Sequence, residues 1–317
     1  MDIAPGVPAT KASHALLIAS LAPFAGILVA ACGGVWWPGE MCSHWTLHAV
    51  VALLPAAILW RRHRLVGPVA MAAILLGAAP WFLAAWEERA PAPSTAQRQL
   101  RVLHANIHYA NPRPASALPV LGREPFDLVS LIEVGVDDHA ALQHDPRWRH
   151  QAWHLPPARR PNRPIMGIAL LSAHPITWWT LREVDEEGII EAEIAIDGRP
   201  LRVIVAHPKS PMTPRRLASR QRQFATIAAL TAGSPVPVVA MGDFNCSVGS
   251  PAWRAFRAVS GLRRAAQPGP ATWPAVLGPL GIDIDHVLVG HGAALAEVDA
   301  RWIGGSDHRA LVASVGF

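Results

Sequence analysis

Residues 235–245 have the sequence PVPVVAMGDFN, which indicates a buried β-strand that ends in a polar turn. The run before the turn is short, apolar and β-branched, as expected of a strand inside a sheet. Residues two apart project to the same side of an extended chain, so Asp243 and Asn245 are expected to reach one small volume. Such a pair suits the holding of a water molecule beside a phosphate oxygen. Gly, Asp and Asn are also ordinary turn residues, so the turn alone fits either interpretation.

Other short apolar segments in the C-terminal two thirds of the chain also end at polar residues. These residues are Asn106, Glu133, His207, Asp285, Asp307 and His308. Polar residues at strand ends favour a common rim, because loops there can be polar while the core stays apolar. Asp197-Gly198 separates two further strand-like runs and predicts a hairpin. The pattern predicts an α/β (α+β) domain of two packed mixed β-sheets flanked by helices.

The order of these motifs resembles the endonuclease/exonuclease/phosphatase superfamily, which has the deoxyribonuclease-I-like fold. The resemblance runs from about Leu100 to Phe317 and implies a four-layer sandwich that hydrolyses phosphoesters. It rests on Asn106, Glu133, His207, the Gly242–Asn245 turn, Ile284-Asp285-His286 and Ser306-Asp307-His308. Any one of these motifs would be weak, whereas the ordered set is specific.

The resemblance also implies roles for the matching residues. Glu133 would bind Mg²⁺, with Mn²⁺ as an alternative, assisted by Asn106 and Asp307, since hard oxygen ligands suit these ions. Asp243 would activate the attacking water and Asn245 would position it. His308 and Asp285 would form a dyad beside the phosphate. His207 would donate to a phosphate oxygen or to the leaving group.

Two departures from the nuclease pattern bear on the substrate. His108 stands two residues after Asn106, where nuclease members often have an acidic residue. Tyr109 is the only tyrosine, so a phosphate-contacting tyrosine found in several nucleases is missing. The basic residues that would replace it as substrate contacts are Arg159, Arg160 and Arg163, unless this is simply a solvated basic loop. Both departures argue against DNA as the substrate and leave phosphoester hydrolysis as the expected reaction.

The first third of the chain is apolar enough to predict three transmembrane spans, at about 15–35, 45–60 and 65–86, since a crossing needs about 20 apolar residues. The second is the shortest, and a re-entrant or buried helix is its alternative interpretation. Residues 87–99 are rich in proline and polar residues and are expected to be a linker to a catalytic domain at 100–317.

Charge predicts the orientation of these spans. Lys11 precedes the first, and Arg61, Arg62 and Arg64 lie between the second and third, so both regions are expected in the cytoplasm. The catalytic domain would then lie on the extracytoplasmic side of a multi-pass membrane protein. A cleaved signal peptide is the alternative for the first span. Whether Cys32 and Cys42 form a disulfide there is left open by the sequence.

These features predict a membrane-anchored, Mg²⁺-dependent hydrolase of the bacterial type, acting on a lipid-linked or small phosphate or pyrophosphate. Its expected partners are the lipid bilayer and the phosphorylated substrate, and no protein partner is implied. An extracytoplasmic nuclease acting on DNA or RNA is the alternative, and a non-catalytic membrane scaffold is the second. The formal charge of +5 is modest for a protein that binds a phosphate backbone.

Overall fold

The computed structural model describes residues 11–63, 65–87, 90–92, 98–111, 118–122, 124–157, 166–265 and 269–317. The chain divides into two compact units. The first, here called the helical unit, comprises Met1–Glu87, Pro211–Leu217 and Ser247–Ala255. The second, here called the sheet unit, comprises Glu88–Ser210, Ala218–Cys246 and Phe256–Phe317. The helical unit therefore takes in two short stretches that the sequence assigns to the catalytic domain.

Four helices form most of the helical unit: α1 (Lys11–Ala30), α2 (Trp37–Ser43), α3 (Thr46–Trp60) and α4 (Val66–Glu87). Of the described residues, Val66–Trp86 forms a helix long and apolar enough to cross a membrane. Helices α2 and α3 meet at a bend of 67° and would make a second span only if the pair is counted as one. The described apolar part of α1, Ile18–Ala30, is shorter. By length and composition, the described residues thus contain one helix that could cross a membrane, or two if the bent pair is one span, and the predicted region of three spans is not supported.

A buried polar cluster lies inside the helical unit. Glu40, in the first turn of α2, is fully buried and accepts hydrogen bonds from the backbone N–H of Gly34 (2.7 Å) and from Ser250 Oγ. The Nδ1 atom of His44 is 3.0 Å from Ser247 Oγ. These contacts join the N-terminal helices to the Ser247–Ala255 stretch. The three cysteines are free, so Cys32 and Cys42 form no disulfide in this structure.

The sheet unit contains two mixed β-sheets, as predicted. The first has six strands in the order β10-β11-β1-β2-β4-β3, and the second has five in the order β5-β6-β7-β8-β9. The strands are β1 (Gln99–Asn106), β2 (Leu128–Val134), β3 (His150–His154), β4 (Gly167–Ser172), β5 (Ile176–Val184), β6 (Glu187–Ile196), β7 (Arg199–Ala206), β8 (Val238–Asp243), β9 (Asp285–Gly290), β10 (Ala294–Trp302) and β11 (Arg309–Gly316).

The main core is built from strands of both sheets. Alternate residues of one strand face opposite sides, so Val102 of β1 enters this core while its neighbour Leu103 joins a second cluster that also includes Leu142. Leu142 belongs to α5 (Val136–Leu142), and the remaining helices are α6 (Pro214–Ala232) and α7 (Pro251–Ser260). In the segment predicted to be a linker, Ala90 is buried in the main core.

The strand directions bring the polar ends together. Strands β1 and β2 run parallel, as do β7 and β8, whereas β9 and β11 are antiparallel to β8 and β1. The ends of the parallel strands therefore lie at the same edges as the beginnings of β9 and β11. Asp243 and Asp285, for example, are direct partners across β8 and β9.

Candidate active site

Asn106 lies at the centre of the predicted rim and links three functional groups. It ends β1, and its Nδ2 donates to Glu133 Oε1 at 3.0 Å and lies 3.4 Å from Asp243 Oδ2. The same nitrogen is 3.4 Å from His308 Nε2. His207 adds a second nitrogen, with Nε2 3.8 Å from Glu133 Oε1 and 3.7 Å from Asp243 Oδ2. The structure thus brings five of the predicted residues into one cluster.

Asp243 is a buried carboxylate surrounded by nitrogen atoms. Its Oδ2 faces Asn106, His207 and His308, and its Oδ1 accepts the backbone N–H of Asn245 at 2.8 Å. Burial raises the pKa of Asp243, and the negative charge of Asp285 raises it further. A carboxylate whose pKa is raised toward neutrality is a better proton acceptor than one that titrates at its ordinary value.

The predicted dyad is present and has an additional member. His308 Nδ1 lies 2.8 Å from Asp285 Oδ2, and His104 Nε2 lies 3.1 Å from Asp285 Oδ1. Burial alone would lower the pKa of His308, but the charge and hydrogen bond of Asp285 raise it to about 10. Burial alone would raise the pKa of Asp285. The positive charge of His308 and the hydrogen bonds from His104 and His308 outweigh burial and hold the pKa of Asp285 well below its ordinary value. At neutral pH the pair is therefore an imidazolium and a carboxylate.

The Asp243–Asn245 turn is fixed by hydrogen bonds rather than by regular structure. Asn245 has a positive φ of 49°, and its Nδ2 donates to the carbonyl of Pro208 at 3.0 Å. The backbone carbonyl of Asn245 accepts a hydrogen bond from Arg220 Nη1 at 2.6 Å. The side chain of Asn245 thus joins the turn to the loop after His207. Positive φ values at residues other than glycine store strain that the surroundings must offset. Glu133 (61°) and His108 (63°) share this feature, which places three such residues at the site.

Asp307 is at the rim of the site rather than inside it. Its side chain is 46% exposed, its Oδ1 is 3.2 Å from His108 Nδ1, and its Oδ2 accepts the indole N–H of Trp273 at 3.0 Å. His108 Nδ1 is also 3.8 Å from Glu133 Oε2. The imidazole of His108 therefore lies between the two carboxylates predicted to bind the metal.

The donor set fits a divalent cation. Glu133 and Asp243 are both nearly buried, and both carboxylates approach the same Asn106 amide nitrogen. Ligand-type atoms of Asp243, Asp285 and His308 lie within 4.8 Å of one another. Buried carboxylates at such separations need positive charge or protons to offset them, and Mg²⁺ and Mn²⁺ prefer oxygen ligands of this kind. Asp285 already binds two histidines, so Glu133, Asn106 and Asp307 remain the predicted metal ligands.

Three predicted substrate contacts are not tested by the structure. Arg159, Arg160 and Arg163 lie outside the described residues.

Two residues of this region were missed by sequence reasoning. The sequence leaves His104 as structural or substrate-adjacent, because no motif assigns it a role, although it lies two residues before Asn106 and so shares its side of β1. The sequence predicts a helix over 213–230 with Arg220 on its polar side, whereas Arg220 is fully buried. It lies three residues after Leu217 and four before Phe224, and this spacing puts it on the apolar face.

A model of the Endonuclease/Exonuclease/phosphatase family matches residues 92–308, more than half of the chain. The chain belongs to this family. The family hydrolyses phosphoesters, so the predicted enzyme class is confirmed at that level. No curated protein sequence matches the chain.

Solved structures of this family share the fold. One is an endonuclease/exonuclease/phosphatase from Beutenbergia cavernae DSM 12333, with a TM-score of 0.57 and 16% identity, covering 70% of this chain and 72% of that one. The human Nocturnin catalytic domain with bound sulfate has a TM-score of 0.56 and 16% identity, covering 73% of this chain and 98% of that one. Sphingomyelinase C from Streptomyces griseocarneus has a TM-score of 0.54 and 19% identity, covering 68% of this chain and 99% of that one. At these identities the likeness supports the fold alone.

Proposed function

We propose that this chain is a membrane-anchored phosphoester hydrolase that requires Mg²⁺ or Mn²⁺ and acts on a lipid-linked phosphate or pyrophosphate. The observation that carries the proposal is the environment of Asp243, a buried carboxylate that faces Glu133 through Asn106 and faces a charged His308. This arrangement combines a proton acceptor, a cation-binding carboxylate and a cationic imidazole, which together serve phosphoester hydrolysis.

The residues divide the chemistry as follows. Asp243 accepts the proton of the attacking water. Asn106, through its amide nitrogen, and Asn245, through its backbone N–H, hold the Asp243 carboxylate in place. The imidazolium of His308, kept charged by Asp285, stabilises negative charge on the phosphoryl oxygens. His207 donates to a phosphate oxygen or to the leaving group. Glu133, with Asn106 and Asp307, would hold the divalent ion, which would supply Lewis-acid stabilisation of that charge.

An exposed apolar segment beside the site supports a lipid-linked substrate. The 3₁₀ helix Ala275–Leu280 begins where the N–H of Ala275 donates to the carbonyl of Asp307 at 2.7 Å. Within it, Val276, Leu277 and Leu280 are 81%, 42% and 68% exposed. Solvent-exposed apolar side chains next to a phosphate-binding site suit the hydrocarbon tail of a substrate.

The helix Val66–Trp86 supports membrane anchoring by its length and composition, and the charges around the predicted spans favour an extracytoplasmic active site. A C-terminal alkaline phosphatase fusion tests the orientation. We expect an active fusion, whereas an inactive one would assign the site to the cytoplasm.

The reaction is tested with purified full-length protein, Mg²⁺ or Mn²⁺, and three substrates: a prenyl pyrophosphate, a water-soluble aryl phosphodiester and plasmid DNA. We expect phosphate release from the prenyl substrate, lost in Asp243→Ala. Leu277→Ser with Leu280→Ser should lower kcat/KM for the prenyl substrate about tenfold and leave the soluble diester unchanged, since each buried methylene contributes about 0.8 kcal/mol. DNA nicking that depends on Asp243, without release from the lipid, would favour the nuclease. A protein inactive on all three would favour the scaffold.

A further inference from the structure

His108 is the residue of the site that the reaction described above leaves without a role. It replaces the acidic residue that nuclease members of the family often have two positions after the asparagine. Its Nδ1 lies 3.2 Å from Asp307 Oδ1 and 3.8 Å from Glu133 Oε2. It is therefore placed between two of the three residues predicted to bind the metal.

The backbone of His108 is held in a conformation that directs its side chain to this position. Its φ is 63°, a left-handed value that is uncommon for residues other than glycine. Asn106 Oδ1 accepts its N–H at 3.0 Å, and Glu133 Oε2 accepts the N–H of the next residue, Tyr109, at 3.0 Å. The predicted metal ligands thus also fix the strained turn that carries the imidazole. Such strain at a site is a reason to look for a function.

We propose that His108 is a nitrogen ligand to the divalent ion, so that this chain binds transition ions such as Mn²⁺ and Co²⁺ in preference to Mg²⁺. The inference rests on the proposed metal-dependent hydrolase. Ligand atoms in adjacent positions of an octahedral ion lie about 3 Å apart, given bonds of about 2.1 Å. The separation of His108 Nδ1 from Asp307 Oδ1, 3.2 Å, is close to this value, and its separation from Glu133 Oε2, 3.8 Å, lies between it and the roughly 4.2 Å between opposite ligands. Imidazole favours transition ions over Mg²⁺, which prefers oxygen ligands only.

The test is metal binding, measured on the full-length protein. Pulsed electron paramagnetic resonance of the Mn²⁺-loaded protein should show coupling to a nitrogen nucleus, and ¹⁵N labelling of histidine should change that coupling. His108→Asn should abolish it. Calorimetric titration should show that His108→Asn weakens Mn²⁺ and Co²⁺ binding by 10–100-fold and changes Mg²⁺ binding by less than about twofold.

A second variant and a control keep the result interpretable. His108→Asp places an oxygen donor at the same position and should bind Mg²⁺ at least as tightly as the wild type while losing the preference for Mn²⁺. Asn and Asp both tolerate a positive φ, so neither variant adds backbone strain. His144→Asn, at an exposed histidine between α5 and β3, should leave all three affinities unchanged.

Three results would overturn the proposal. They are a wild-type spectrum without nitrogen coupling, a coupling that persists in His108→Asn, and a parallel loss of Mg²⁺ and Mn²⁺ binding in that variant. None of these depends on catalysis. A protein that hydrolyses phosphoesters but shows no nitrogen coupling would refute the role of His108 alone, and a protein with the coupling but no hydrolysis would refute the proposed function.

Discussion

Replacement of Asp285 by asparagine removes the charge that keeps His308 protonated. His308 Nδ1 lies 2.8 Å from Asp285 Oδ2, and both side chains are nearly inaccessible to solvent. The rise of the His308 pKa from 6.5 to about 10 corresponds to about 5 kcal/mol of preference for the charged imidazole. Asp285 is the largest favourable contributor, ahead of Asp243 and Asp307. In Asp285→Asn the pKa of His308 should therefore fall toward its ordinary range.

The lower pKa of His308 in Asp285→Asn should change how the free energy of unfolding depends on pH. Because the folded pKa of His308 is raised, its stabilisation is complete below about pH 6.5 and is lost as the pH rises through about 10. The wild-type free energy of unfolding should therefore decline between these values. In Asp285→Asn the decline should be much smaller, because the folded and unfolded pKa values nearly coincide.

Two measurements check this prediction. The pKa of His308 is followed by NMR of ¹⁵N-labelled histidine, with His308→Gln used for assignment, and kcat for a soluble phosphodiester should fall by roughly 10²–10⁴-fold. The control is Asp127→Asn, which removes another carboxylate 2.8 Å from a histidine, His174, at the opposite end of β2 from Glu133. It should leave kcat unchanged. A His308 pKa that stays near 10 in Asp285→Asn would refute the reasoning.

Two further predictions concern residues outside the predicted set. His104→Leu removes the second hydrogen bond to Asp285 and should lower kcat about tenfold. Ser130→Ala removes the hydroxyl that contacts His104 Nδ1, the nitrogen that does not face Asp285, and should lower kcat less. Equal effects of the two variants on kcat would refute the role of His104. Glu40→Ala leaves two donors without their acceptor and should reduce the free energy of unfolding by about 2–5 kcal/mol. Denaturant unfolding measures this loss, and Ser20→Ala, whose hydroxyl donates to the Leu16 carbonyl within α1, is the control.

The sequence predicted the two sheets and most of the site because both depend on local patterns. Each apolar strand ends at a polar residue, and the ordered set of those residues specifies the family. Asn106, Glu133 and Asp243 therefore appear together as expected. Their metal-binding and catalytic roles stay predictions until measured.

What the sequence did not predict depends on contacts between distant parts of the chain. The hydrogen bond from Arg220 to Asn245 joins residues 25 positions apart, and only the apolar spacing around Arg220 indicates that this arginine is buried. The bond from His104 to Asp285 spans 181 positions. Hydropathy alone predicts three spans, but α3 has 15 residues and the described apolar part of α1 covers Ile18–Ala30, and both are shorter than a membrane crossing needs.

The helical unit consists of three separate segments of sequence, so truncating the chain at one position does not remove it whole. A group of N-terminal helices is commonly treated as an interchangeable part, which is removed to obtain a shorter enzyme or exchanged for another segment. Here Ser247 and Ser250 belong to the same unit as the N-terminal helices and bond to His44 and Glu40. A chain shortened to begin at Glu88 would keep the two serines without those partners. The helical unit is therefore not a continuous piece of sequence, and a segment exchanged for the N-terminal helices would have to supply a buried acid and a histidine for these serines.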